Sequence, residues 1–153
     1  MSATVRSVND SDFDEWYRLS KTFLKTNHNI DLSKEDAKET FDRILDPKVK
    51  IWALLAINPE TNQSIGFTNY LSLQQPYNPQ ERILPNGIYV DPDARLKGTG
   101  RRLIEAVYKA ADELGTPDVH WNTDINNHTA QLLYCKVGVK TGQLSYKRVL
   151  DGL

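Results

Sequence analysis

The chain has 153 residues, 39% apolar and 25% charged, with a formal net charge of −1, the size and composition of one ordinary globular domain spanning residues 1–153. So even a charge balance speaks against direct nucleic-acid binding, which brings a broad basic face, and it suits a cationic substrate. No apolar run approaches the roughly 20 residues of a membrane span, the stretch Met1 to Arg6 has no apolar signal core, and one cysteine, Cys135, allows no internal disulfide, so the expected setting is the cytoplasm, with the nucleus open to it.

In chain order, Thr4 to Val8 alternates and predicts a strand. Asn9, Asp10 or Ser11 can cap the helix that follows, in which Phe13, Trp16, Tyr17, Ser20, Phe23 and Leu24 share a face. The pattern breaks at Asn27 to Asp31, and a second helix is expected from Lys34 to Leu45, capped by Ser33 and stopped at Asp46-Pro47. The dense apolar run Ile51 to Ile57, the turn residues Pro59 to Asn62 and the run Ser64 to Leu73 predict a hairpin. Pro76, Pro79 and Pro85 are expected to exclude regular structure until Gly87. Ile88 to Val90 is strand-like. A helix follows Gly100, burying Leu103, Ile104, Val107, Ala110, Ala111 and Leu114 and ending at Gly115-Thr116-Pro117. Val119 to Thr123 is expected as a strand, Asn126 to Thr129 opens a helix running to about Lys136, and Gln143 to Leu150 is expected to close the sheet. This order predicts a mixed α/β sheet flanked by helices, with a ligand beyond the carboxyl ends of the central strands.

The segment Arg95-Leu96-Lys97-Gly98-Thr99-Gly100 lies between a strand and a helix start. Glycines there let the backbone close around a ligand, and the first N–H groups of the helix have no internal acceptor, so the place is built for an anion. Four of the eight residues from Arg95 to Arg102 are basic although the chain as a whole is not. The spacing is not that of a Walker loop, which needs four residues between its glycines and a Lys-Ser/Thr after them. A dinucleotide fingerprint fails too, because Leu103 stands where its third glycine belongs.

The turn resembles the R-x-x-G-x-G/A segment of the GNAT superfamily of acyl-CoA-dependent N-acetyltransferases. Downstream, Asn127 to Val139 is similar to that family's N-x-x-A-x-x-L-Y-x-x-x-G-F segment, with Val139 in place of the usual aromatic. Upstream, Val5 to Val8 and Asp10 to Leu24 resemble its first strand and helix. Tyr89-Val90-Asp91, Leu114 to Pro117 and Ser145 to Arg148 are closest to the small fungal enzymes that acetylate histones, polyamines and other free amines.

The resemblance implies a mostly antiparallel sheet and transfer of acetyl from acetyl-CoA to a primary amine, on a polyamine, an amino acid or the lysine of a basic peptide. It implies that the pyrophosphate sits on the N–H groups of Leu96, Lys97, Gly98, Thr99, Gly100 and Arg101 with help from Arg95, and that the pantetheine arm lies along Ile88, Tyr89 and Val90. Asn127 would bind the arm from its far side, the Val90 N–H would polarise the carbonyl, and Tyr134 would hand a proton to the departing sulfur. It further implies homodimers or larger assemblies with C-terminal strands contributing.

Acyl transfer requires a neutral amine, and an aliphatic amine starts near pKa 10.4. Several members of that family carry a glutamate on the strand before the turn. Here the matching stretch, Leu84-Pro85-Asn86-Gly87, has no carboxylate. Asp124 is then the base candidate, acting with water, or else the partner of a second ammonium on the substrate. Plainer readings stand beside these: the glycines as an ordinary turn, Tyr134 as a core aromatic, Asn127 as a helix cap. Trp16, Trp52 and Trp121 read as core and Cys135 as a small buried residue. His28, His120 and His128 lack metal spacing, so no metal is assigned. A protein that binds coenzyme A without catalysis is the rival of another class.

Overall fold

A computed structural model describes residues 2–95 and 97–150. Its sheet has four antiparallel strands in chain order: β1 (Thr4–Ser7), β2 (Ile51–Ile57), β3 (Ser64–Leu73) and β4 (Arg82–Val90). The helices are α1 (Phe13–His28), α2 (Lys34–Leu45), α3 (Thr99–Glu113) and α4 (His128–Val137). The chain divides into two units, one up to Asn122 and one from Thr123, with α4 in the second.

In the first unit β2 explains the architecture. Alternate side chains leave a strand on opposite faces, so Ala53, Leu55 and Ile57 join Trp16, Leu19 and Phe41 of α1 and α2. Leu54 and Ala56 join Leu103, Val107 and Ala111 of α3. A strand covered on both faces needs apolar residues at every position, which is why this one is an unbroken apolar run. Each fully buried Leu, Ile, Val or Phe among them contributes roughly 1.5–3 kcal/mol, the alanines less.

The helix boundaries follow local chemistry. Asn9 accepts from the Ser11 N–H at 3.0 Å while Asp12 accepts from the Asn9 N–H at 2.8 Å, a reciprocal cap. Asp12 also pairs with both terminal nitrogens of Arg6 at 2.7 and 2.9 Å, and that guanidinium holds its carboxyl below the usual carboxylate range. The first helix runs on to His28, past the expected break, because Asn29 takes the left-handed cap conformation at φ 53°. The second matches Lys34 to Leu45, with the Ser33 hydroxyl accepting from the Asp36 N–H at 3.0 Å.

Several expectations are corrected. The fourth strand begins at Arg82, so Pro85 lies inside it. The register shifts by one between Thr68 and Tyr70, leaving Asn86 and Gly87 opposite Asn69, and Gly87 has φ 88°. That is a β-bulge, one of the few places a sheet tolerates proline. Leu114 is half-exposed, falling after the last turn of α3. Of Val119 to Thr123 only Val119 pairs, by one parallel bridge to Ile83. The segment from Gln143 to Leu150 is not a strand, since among the described residues its backbone has no ladder partner. Cys135 is exposed, not buried. Among the described residues no helix is long and apolar enough to cross a membrane.

Candidate active site

The far edge of β4 is where backbone chemistry becomes available. In an antiparallel ladder, residues alternate between exchanging hydrogen bonds with the neighbouring strand and turning those groups away from it. The Asp91 N–H donates to the Ile65 carbonyl at 2.8 Å, which fixes the phase. Asp91 and Tyr89 face β3, while Val90 and Ile88 turn their N–H and C=O groups outward. Before the bulge, Ile83 also faces outward, accepting from the His120 N–H at 3.0 Å and donating to the Asp118 carbonyl at 2.9 Å. Pro85 is two positions on, so its missing N–H breaks no ladder bond. The edge is therefore paired at Ile83 and has outward N–H groups at Ile88 and Val90.

This edge lies next to Arg95 and the glycine turn before α3. The Val90 carbonyl accepts from Arg95 Nε at 2.9 Å, and the Arg95 guanidinium lies 5.7 Å from the centre of the Tyr89 ring. Arg95 is thus held against the end of β4 while remaining exposed. Gly98 has φ 78° and ψ 5°, a left-handed conformation that costs a residue with a side chain about 1–2 kcal/mol. A Cβ built there meets nothing within 4 Å, so the space beside it is open.

The first intrahelical bond of α3 is from the Arg102 N–H to the Gly98 carbonyl, at 3.0 Å. The N–H groups of Thr99, Gly100 and Arg101 precede it and have no acceptor within the helix. With no side-chain cap at Gly98, those groups and the positive end of the helix are available to an anion. Lys97 is exposed beside them and Thr99 is buried. Arg101 is drawn along the helix by Glu105 at 2.7 Å, which reduces the charge it offers. Leu96 lies outside the described residues.

Sequence reasoning missed the buttress under this corner. Arg18 of α1 donates to the Ser64 carbonyl at 2.6 Å and pairs with Asp91 at 3.2 Å and Glu15 at 3.0 Å. It fixes the residue after Val90 to both the helix and β3. No local pattern marks it, because its partners are 46 and 73 positions away. The bulge was missed as well, although a proline and a glycine two apart inside a strand-length stretch are the signal that could have found it. A Cβ on Gly87 would come 3.1 Å from the Phe23 ring, so α1 packs directly over it.

The second unit carries Asp124, Asn127 and Tyr134. Asn127 caps α4, its Oδ1 accepting from the Ala130 N–H at 3.2 Å. Asp124 is exposed and shapes the preceding turn by accepting from the Asn126 N–H at 2.7 Å. It opens a turn instead of ending a strand. Tyr134 is partly buried, and burial pushes its phenol up from the ordinary value. Among the described residues no group of three or more His, Cys, Asp or Glu is placed to hold a metal ion.

The acetyltransferase (GNAT) family model matches residues 12–139. The chain is 44% identical over 144 residues to the D-amino-acid N-acetyltransferase HPA3 of Saccharomyces cerevisiae, covering 94% of this chain and 89% of that one. Among solved structures it is similar to the ribosomal-protein-alanine N-acetyltransferase of Brucella melitensis biovar Abortus 2308, with a TM-score of 0.82, 19% identity and coverage of 98% and 100%. It is equally similar to AAC(6')-Iy in complex with the bisubstrate analog CoA-S-monomethyl-acetylneamine, with a TM-score of 0.82, 18% identity and coverage of 98% and 99%. At these identities the two structures establish a shared fold.

Proposed function

The chain belongs to the GNAT acetyltransferase family, acetyl-CoA-dependent N-acetyltransferases, and on that premise we propose that it moves acetyl from acetyl-CoA to the amine of a free amino acid, directly within a ternary complex. The observation that carries this reading is the outward edge of β4 together with the start of α3, which has no side-chain cap at Gly98. Those features suit the two halves of the donor. The outward groups of Ile88 and Val90 align an amide-like arm as an added strand, and the strand continues through Tyr89. The N–H groups from Leu96 through Lys97, Gly98, Thr99 and Gly100 to Arg101 hold the pyrophosphate, with charge from Arg95 and Lys97.

The Val90 N–H polarises the thioester carbonyl, as preorganised donors do where negative charge develops. Asn127 holds the arm from its far side while it caps α4. Tyr134 gives its proton to the departing sulfur. Asp124, exposed in the turn before α4, partners a second ammonium where the acceptor carries one. Residues 1–153 act as one N-acetyltransferase domain, a reading supported by the family match running from residue 12 to 139.

An amino acid is favoured over a polyamine or a peptide lysine by the 44% identity to an enzyme named for D-amino acids. The test is thiol release from acetyl-CoA with D- and L-amino acids, polyamines and a lysine peptide as acceptors. D-amino acids are expected to give kcat/KM values at least about tenfold above the other classes, the discrimination worth roughly 1.4 kcal/mol. A preference for polyamine or peptide would overturn the acceptor assignment. Coenzyme A binding with no turnover on any amine would leave a binding protein instead of an enzyme.

The partner proposed is a second copy of this chain. Leu144, Tyr146 and Val149 are 79%, 89% and 83% exposed on a segment without regular structure, which supports exchange of that segment between copies. Light scattering is expected to give a dimer or larger assembly, and a monomer at micromolar concentration would reject it.

A further inference from the structure

The base that neutralises the acceptor is the step left without a residue on β4. Three side chains at the fork of the sheet form a chain of contacts that nothing above uses. Arg82 Nε donates to Asp118 Oδ2 at 2.8 Å, and His120 Nε2 stands 2.8 Å from Asp118 Oδ1. The Arg82 guanidinium holds the Asp118 carboxyl below its ordinary range, and His120 adds to the effect. An ionised carboxylate only accepts hydrogen bonds, so the ring proton of neutral His120 is on Nε2 and the lone pair is on Nδ1. Nδ1 has no partner among the described residues. This is the arrangement that makes a histidine a base, with the ring's tautomer fixed by a carboxylate whose own ionisation is fixed by a third group.

The position also fits. Val119 packs with the core on the α3 side, and Asp118 and His120 flank it with their side chains in contact. Arg82 and Leu84 turn away from α3, because Ile83 between them belongs to the α3 side, and Arg82 meets Asp118 there. The parallel bridge of Ile83 to Val119 puts His120 beside Leu84. His120 is 38% exposed and Arg82 and Asp118 are 32% and 35% exposed, so water reaches the cluster. At about 3.3 Å per residue, Leu84 lies roughly 10–13 Å along the strand from the outward N–H of Ile88 and roughly 17–20 Å from that of Val90, a gap that only a file of waters spans. The charged groups facing His120 are Asp118 on its own segment and Arg82 on β4. Glu81, the adjacent carboxylate, is engaged by Lys50 and by the Ser72 hydroxyl.

We propose that His120 is the general base of this enzyme, taking the acceptor's proton through water while Asp118 and Arg82 hold its ring in the working tautomer. The proposal rests on the transferase reading above. The ammonium gives one proton through water to Nδ1, and the freed nitrogen pair forms the new C–N bond as the C–S bond breaks. The nitrogen then loses a second proton, which balances the one gained by sulfur. His120 returns its proton to solvent, so one proton is released per turnover.

The experiment is His120→Gln, with His120→Asn as a second variant should the first not fold, each measured for melting temperature, acetyl-CoA affinity and kcat/KM across pH. The expected result is wild-type melting and affinity, with kcat/KM down about 10²-fold at pH 7. The loss should shrink as pH rises, because the acceptor then loses its proton unaided. Activity within threefold of wild type at every pH would overturn the proposal while leaving the transferase reading intact, as would a loss constant with pH and matched by weakened acetyl-CoA binding. A wild-type protein that binds acetyl-CoA but acetylates no amine would remove both.

Discussion

Tyr134→Phe is expected to lower kcat by about 10²- to 10³-fold while leaving the KM for acetyl-CoA within about threefold. A sulfur leaving from carbon builds negative charge that a proton donor beside it stabilises. General acid catalysis at such a point is worth about 10²–10⁴. Burial raises the phenol above its ordinary pKa, so it stays protonated throughout the physiological range and none of the enzyme is lost to the phenolate. The same shift limits how readily the proton leaves, since a thiol titrates near 8.5. Much of the benefit is therefore a hydrogen bond that tightens as charge develops, which places the expected loss in the lower part of the range. An interaction made only in the transition state lowers kcat and kcat/KM together. Phenylalanine keeps the ring, so packing on α4 is preserved. Steady-state kinetics with the best acceptor decides the matter. An unchanged kcat, or a loss confined to KM, would return Tyr134 to the plain aromatic role that its place on a helix also permits.

What was legible in the sequence follows from how far apart the determining residues lie. The second helix, β2 and β3 appear at their predicted bounds because each carries its own signal: a serine cap, a run apolar on both faces, a turn closed by Asn62 at φ 59°. The anion turn was equally local, with Gly98 supplying the left-handed residue and α3 beginning one position later. Pro85 misled because its effect depends on which way one backbone nitrogen points, and that is set by pairing with β3 across the bulge. The segments from Val119 and from Gln143 have strand-like sequences, but a strand needs a partner for its backbone groups, and partners are not written in the segment itself. Arg18, joined to Ser64 and Asp91, and the Arg82, Asp118 and His120 contacts belong to the same class. Each is an ordinary surface residue type until folding brings distant positions together.

The anion turn itself is tested by a pair of substitutions that share one backbone cost. Gly98 and Gly115 both have left-handed φ, 78° and 70°, and a Cβ at either meets nothing within 4 Å. A valine at either position is strained by about 1–2 kcal/mol, so Gly98→Val and Gly115→Val should lower stability by similar amounts. Only Gly98 borders the N–H groups at the start of α3 that have no acceptor within the helix, whereas Gly115 lies past its far end. A branched side chain at Gly98 takes space the protein leaves open and tilts the N–H groups that follow. Charge-assisted hydrogen bonds to a phosphate are worth about 1.5–3 kcal/mol each, and losing one or two weakens binding on the order of 10²-fold at 1.4 kcal/mol per decade. Titration calorimetry with coenzyme A and with acetyl-CoA is expected to show that loss for Gly98→Val and wild-type affinity for Gly115→Val. Equal affinities for the two variants would mean that backbone strain alone governs both, and the phosphate site would have to be sought elsewhere. Because the strain is matched, a drop in affinity seen only with Gly98→Val reports on the ligand's contacts with the turn and on nothing that global destabilisation can imitate.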